Sequence, residues 1–383
     1  MQEPTHNEPH QEHTLVLEGR ASVADAAVRP YAETQHVAAD ARRGERILAM
    51  IIALLITGSV TVGGAVVGYE ATKLPAVAPS IAMAPTNKPD VEQAVPSVAH
   101  PFMQVSVGAR AYVVYDVHRE MVLASSNKDA PLPLASLTKV MTSLVALESA
   151  REDTRLAISP TAIETEGDSG LLAQETWKLK DLVSFTMITS SNDGASAIAS
   201  AVGGLWHSTP EVVPEYERVV SFVDHMNQRA RELGLHNTTF RNPSGLDVSQ
   251  GVEGGRGSAE DMAKLFAYAW EHEPAVFTDT VYTRQQYVSE DGFTHEAENT
   301  NERVDNIHGL MGSKTGYTEL AGGNLGIIYN SGMDHPIVVV VLGSTRDGRF
   351  DDVEKLVDAT YAYIESGWYQ YEVAGSSEEQ VRM

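Results

Sequence analysis

The run Pro131-Leu-Pro-Leu-Ala-Ser-Leu-Thr-Lys-Val-Met-Thr142 constrains the fold of this chain more than any other. Leu134, Leu137, Val140, Met141, Leu144, Val145 and Leu147 nearly encircle a helix, so that helix belongs inside a core rather than on its surface. Lys139 lies in its midst, and a buried lysine needs a reason. Ser136, three residues earlier, falls on the same helix face. There the amine can take the hydroxyl proton and make Ser136 a nucleophile. An isolated Ser-x-x-Lys also reads as a helix N-terminus, with Ser136 near the cap and Lys139 in solvent. The apolar surroundings argue against that reading.

With 383 residues and 43% apolar content, the chain holds one large domain or two smaller ones. Its 52 carboxylates against 28 cations, a formal charge of −24, argue against nucleic-acid binding. Ile47 to Tyr69 carries no Asp, Glu, Lys, Arg or His, and a membrane-spanning helix needs about 20 such residues. Arg42, Arg43 and Arg46 precede it, while only Lys73 and Lys88 follow as far as Pro89. Met1–Arg46 is therefore expected in the cytoplasm, with the rest of the chain exported beyond a cell-membrane signal anchor. Ala76-Val77-Ala78 and Ala82-Met83-Ala84 resemble cleavage sites, so secretion after signal cleavage is the competing expectation. Residues 1–46 read as a disordered tail, 47–69 as the transmembrane helix and 70–101, rich in Pro, Ala and Val, as a spacer. The lack of cysteine rules out a thiol nucleophile and Cys-based metal sites.

From Phe102 the pattern is that of a folded domain. Ala111–Tyr115 and Met121–Ala124 read as a hairpin around Asp116–Glu120. After the Ser136 helix come helical stretches at Leu182–Ile188, Ala195–Val202 and Val219–Leu233, then Ala259–Trp270 with Ser258 as cap. Gln286–Val288 and a partner near Thr294, then Gly312–Thr318, Asn324–Tyr329 and Pro336–Leu342, read as strands. Ile337–Leu342 is a central strand buried on both faces. A last amphipathic helix is expected at Asp352–Ser366. Helices in the middle and an antiparallel sheet assembled from both ends indicate an α+β fold.

Ser190-Ser191-Asn192 falls between two helices, and Lys314-Thr315-Gly316 on a strand. Each alone means little. In this order after an apolar Ser-x-x-Lys helix they match the signature of penicillin-recognising serine enzymes. The chain resembles the D-alanyl-D-alanine carboxypeptidases of the low-molecular-mass penicillin-binding protein family, peptidase S11. The resemblance also rests on Ser190-Ser-Asn-Asp193, Leu233-Gly-Leu-His-Asn-Thr-Thr-Phe-Arg-Asn-Pro-Ser-Gly-Leu-Asp247, Asn299-Thr-Asn301 and Gly312-Ser-Lys-Thr-Gly-Tyr-Thr318, and covers residues 102–368, about two-thirds of the chain.

The resemblance implies a serine β-lactamase/DD-peptidase-like fold, an antiparallel sheet flanked by helices with a helical subdomain, over residues 102–368, followed by a tail at 369–383. It implies that Ser136 attacks the carbonyl between two D-alanines of a peptidoglycan stem peptide, with β-lactam antibiotics as covalent inhibitors. Lys139 is then the base, expected neutral through burial and a second ammonium at Lys314. Ser190 would pass a proton to the leaving amine, and Asn192 would hold Lys139 or the substrate amide. Lys314 and Thr315 would meet the terminal carboxylate, and Gly316 would let the substrate lie along the strand. The N–H groups of Ser136 and Tyr317 would form the oxyanion hole. Arg349 is a second carboxylate anchor or else a surface arginine near Asp351 and Asp352. No metal or organic cofactor is implied.

Two positions depart from the family's habit: Ser244 stands where His is common and Gly194 where Ala is common. Neither carries chemistry in this scheme. Most members also append a C-terminal β-domain and membrane helix, for which the residues after Trp368 leave no room, so the N-terminal span is expected to tether the enzyme. A class A β-lactamase would need Glu-x-x-Leu-Asn between Asn192 and Lys314, and the sequence has none. An endopeptidase cutting peptide crosslinks would carry the same motifs and differ only in substrate reach. A penicillin-binding sensor or scaffold without activity would not need Ser136, Lys139, Ser190, Asn192, Lys314 and Thr315 all together.

Overall fold

Ile337-Val-Val-Val-Val-Leu342 forms the centre of the main sheet in the computed structural model, which describes residues 95–209 and 212–373. The expected tail and transmembrane helix, and the spacer as far as Ala94, lie outside the described residues. No described helix is long and apolar enough to cross a membrane. Val338, Val340 and Leu342 join one apolar cluster, while Ile337, Val339 and Val341 join another on the opposite face. A strand buried on both sides cannot alternate polar with apolar, which is why its sequence is a continuous apolar run.

Five strands make this antiparallel sheet: β1 (Ala111–Asp116), β2 (Met121–Ser126), β10 (Leu310–Thr318), β11 (Gly322–Asn330) and β12 (Pro336–Ser344), in the order β10-β11-β12-β1-β2. Both ends of the domain therefore contribute to one sheet, as the sequence suggests. Short pairs complete the β-structure. β3 (Leu132–Pro133) joins β7 (Gly255–Gly257) and β6 (Thr239–Phe240), β4 (Arg155–Ala157) pairs with β5 (Thr176–Lys178), and β8 (Arg284–Val288) with β9 (Thr294–Glu298).

Helix α1 (Thr138–Ser149) is buried along ten consecutive residues, Thr138 to Leu147, so the all-round apolar pattern has its physical counterpart. It packs among α2 (Leu179–Thr189), α3 (Asn192–Leu205), α4 (Glu215–Glu232) and α5 (Ala259–His272). Helix α5 lies against the sheet, and its N-cap Ser258 accepts from Asp261 N, as its sequence pattern predicts. Helix α6 (Gly348–Glu365) covers the other face of the sheet and begins four residues before its expected start. The two ends of the described domain meet there: Trp368 Nε1 donates to Val98 O at 3.0 Å, and His100 Nε2 lies 3.1 Å from Glu372 Oε1.

Candidate active site

Ser136 is not inside α1 but in the 3-10 turn Ala135–Leu137 that leads into it. Ala135 takes φ +48°, a left-handed conformation that costs a non-glycine residue energy and is held by its surroundings. Lys139 then falls in the first turn of α1 and is 0% exposed. Its Nζ lies 2.8 Å from Ser136 Oγ, 2.7 Å from Asn192 Oδ1 and 2.8 Å from the Ser244 carbonyl oxygen. The two carbonyl oxygens can only accept, so they take two N–H bonds. A neutral amine has no further hydrogen, and its lone pair then faces the Ser136 hydroxyl.

Burial pushes the Lys139 ammonium down from its usual range to about 7, while the Asp193 carboxylate pulls the other way. A cation in the first turn also opposes the positive end of the helix. Lys314 is lowered well below its ordinary value, first by burial and then by the charges of Lys139 and Arg349. Burial is the main cause at both amines, and the repulsion between Lys139 and Lys314 is mutual.

Ser190 sits where α2 hands over to α3. It closes α2 in a left-handed conformation, φ 61°, and Ser191 caps α3 by accepting from Gly194 N at 2.8 Å. That reversal brings Ser190 Oγ to 2.9 Å from Lys314 Nζ. Asn192 faces both ways, accepting from Lys139 and donating through Nδ2 to Glu166 O at 2.7 Å. Next to it Asp193 is buried, and its Oδ2 accepts from the N and Oγ of Ser169. Gly194 has a local reason of its own, since a Cβ there would lie 2.1 Å from Thr186 Oγ1.

Strand β10 forms the opposite wall. Thr315 Oγ1 is 2.6 Å from Thr300 Oγ1. Gly316 lines the cleft and faces the nucleophile turn: an added Cβ would lie 3.0 Å from Leu134 O and 3.2 Å from Ser136 N. Without a side chain there, β10 can approach the Ser136 N–H. Gly316→Ala is expected to slow penicillin acylation about 10-fold with little change in melting temperature, because one displaced oxyanion donor costs more in rate than in stability. Stopped-flow acylation beside thermal unfolding checks it.

Arg349 is not the surface residue that proximity to Asp351 suggested. It is 6% exposed, and its Nη1 donates to Gly316 O at 2.8 Å. Arg303 is the partner of Asp351, while Asp352 accepts from Gly108 N and Ser344 Oγ. A cleft of about 310 Å³ is lined by Ser136, Ser190, Asn192, Thr315, Gly316, Tyr317 and Arg349, so all the expected cleft residues meet, with Lys139 and Lys314 bonded behind them. Leu246, Thr300, Glu302 and Arg346 line it too. Ser244, expected to be chemically silent, holds the Lys139 amine through its main-chain carbonyl.

Residues 96–346 match the peptidase S11 family, described as D-alanyl-D-alanine carboxypeptidase, and the chain belongs to that family. It is 30% identical over 266 residues to the D-alanyl-D-alanine carboxypeptidase DacF of Bacillus subtilis, covering 67% of this chain and 63% of that one. It is 31% identical over 278 residues to DacC of Escherichia coli, covering 68% and 63%. The chain thus spans about 63% of the length of these curated relatives. The solved structure of penicillin-binding protein D2 from Listeria monocytogenes in its cefotaxime-bound form is 27% identical, with a TM-score of 0.54 over 67% of this chain and 98% of that one.

Proposed function

We propose that this chain is a serine-type D-Ala-D-Ala carboxypeptidase that removes the terminal D-alanine of peptidoglycan stem peptides through an acyl-enzyme on Ser136. The observation that carries the reading is the Lys139 amine, fully buried, bonded to two carbonyl oxygens and 2.8 Å from Ser136 Oγ. Membership of the S11 family supports it.

Ser136 Oγ gives its proton to Lys139 Nζ while it bonds to the carbonyl carbon between the two D-alanines. The carbonyl electron pair moves onto oxygen, which the N–H groups of Ser136 and Tyr317 receive, each contributing about 3–4 kcal/mol. The C–N bond then breaks, and the leaving amine takes a proton from Ser190, which recovers the one that Lys139 took from Ser136, so that Lys139 is neutral again for the next step. That hydroxyl accepts from Lys314 at 2.9 Å, which leaves its own hydrogen to point at the leaving nitrogen. Lys314, Thr315 and Arg349 meet the terminal carboxylate, whose charge raises the Lys314 ammonium back toward its ordinary range. Water, activated by Lys139, then frees the shortened peptide. A β-lactam enters by the same attack, but its leaving nitrogen stays tethered to the acyl group.

The site faces the outside of the membrane in this proposal, tethered through Ile47–Tyr69 with Arg42, Arg43 and Arg46 on the cytoplasmic side. To test the function, the full chain in detergent is given a diacyl-Lys-D-Ala-D-Ala peptide, a crosslinked stem-peptide dimer and a fluorescent penicillin. Free D-alanine from the linear peptide and a long-lived penicillin adduct are expected. Cleavage of the dimer alone would replace the reading with an endopeptidase, and rapid penicillin turnover with a β-lactamase.

A further inference from the structure

Of the sequence Asn242-Pro-Ser-Gly-Leu-Asp247 only the Ser244 carbonyl enters the reaction scheme, yet this one loop touches both the base and the strand that carries an oxyanion donor. Ser244 O holds Lys139 Nζ at 2.8 Å, and Pro243 O accepts from Thr142 Oγ1 at 2.7 Å. Gly245, at φ +82°, lies so close to the nucleophile turn that a Cβ would stand 1.9 Å from Ala135 O. Asn242 stiffens the loop from within, accepting from Gly245 N at 2.7 Å and donating to Leu246 O at 2.8 Å. At the far end the Asp247 carboxylate accepts from Thr318 Oγ1 at 3.1 Å and from Leu320 N at 3.4 Å. Thr318 Oγ1 in turn accepts from Ala321 N at 3.2 Å, so the turn after β10 closes on this pair. Tyr317, which carries the N–H expected to meet the oxyanion, is the residue just before Thr318.

We propose that Asp247 is a positioning residue that fixes the Tyr317 N–H through Thr318, so that the loop sets base and oxyanion donor in register. The charged groups near this turn support a positioning role over a chemical one. Glu319 bonds Tyr317 Oη, Arg346 stacks over the Tyr317 ring, and the Asp247 carboxylate bonds to Thr318 and Leu320 rather than to Ser136, Lys139, Ser190 or Lys314. At this end of β10 Tyr317 is 40% exposed, and the hold on Thr318 adds to the pairing with β11 and the Arg349 bond to Gly316 O. A misplacement of about 1 Å is enough to cost 10²-fold in rate.

The inference rests on the acyl-enzyme reading above, and one experiment separates the two. The rate of acylation by fluorescent penicillin is measured across pH for the full chain, Asp247→Ala, Asp247→Asn, Thr318→Val and the double variant Asp247→Ala/Thr318→Val, with circular dichroism and melting temperature for each. Asp247→Ala is expected to acylate about 10–100-fold more slowly at an unchanged pH midpoint. Asp247→Asn, which keeps an acceptor for Thr318, should regain most of that rate, and the double variant should be no slower than Asp247→Ala. Losses that multiply in the double variant, a shifted pH midpoint, or an Asn variant as slow as Ala would overturn the positioning role. A wild-type chain that forms no adduct would overturn both the role and the reaction it serves.

Discussion

Ser136→Ala is expected to leave a folded protein that forms no penicillin adduct and releases D-alanine at least ~10⁴-fold more slowly than wild type, the scale on which removal of a serine nucleophile acts. The substitution removes one part-buried hydroxyl from the turn before α1, so melting temperature should move by little. The loss is therefore a loss of chemistry. Fluorescent-penicillin labelling, D-alanine release and thermal unfolding on the same preparation separate the two effects. Residual labelling of the alanine variant would place the nucleophile elsewhere.

The second large effect concerns Lys139. Only its neutral form accepts the Ser136 proton, so acylation should rise with pH through about 7 and fall about 10-fold per unit below that midpoint. The sign follows from the direction of the shift. Burial lowers the ammonium to about 7, leaving most of the amine neutral at pH ~7.5. An ordinary lysine there would be neutral in only about one molecule in a thousand. Lys139→Met should cut acylation by about 10²–10⁴-fold, the usual contribution of a general base. Lys139→Arg should do the same because a guanidinium keeps its proton. Asp193→Asn removes the charge that opposes burial, so its midpoint should move to lower pH. A midpoint near the ordinary lysine value of about 10 in the wild type would contradict the assignment of Lys139 as the buried base.

Much of this site is legible in residue types. The apolar girdle from Leu134 to Leu147 demands a buried helix, and Lys139 in it demands partners; Asn192 and Ser136 supply two of them. The β-branched run of β12 likewise announces a central strand. Backbone is what residue types do not show. Ser244 acts through a carbonyl that every residue possesses, so its side chain, a departure from family habit, carries no signal. Gly316 advertises a close approach but not what approaches, and only the geometry shows that it is the Ser136 turn. Arg349 lies beside acidic residues in sequence, but the first turn of α6 carries it inward to Gly316. Lys139 and Lys314 stand as two amines in the sequence with no sign that both are fully buried. Burial lowers both, and burial is a property of the packed chain.

The most direct test of the acyl-enzyme is a rapid acid quench of the full chain turning over diacyl-Lys-D-Ala-D-Ala, followed by mass spectrometry of its peptides. A burst of D-alanine is predicted, matched by the diacyl-Lys-D-Ala acyl group on the peptide that contains Ser136. D-alanine release with no covalent intermediate, or an acyl group on any other residue, would contradict the assignment of Ser136 as nucleophile.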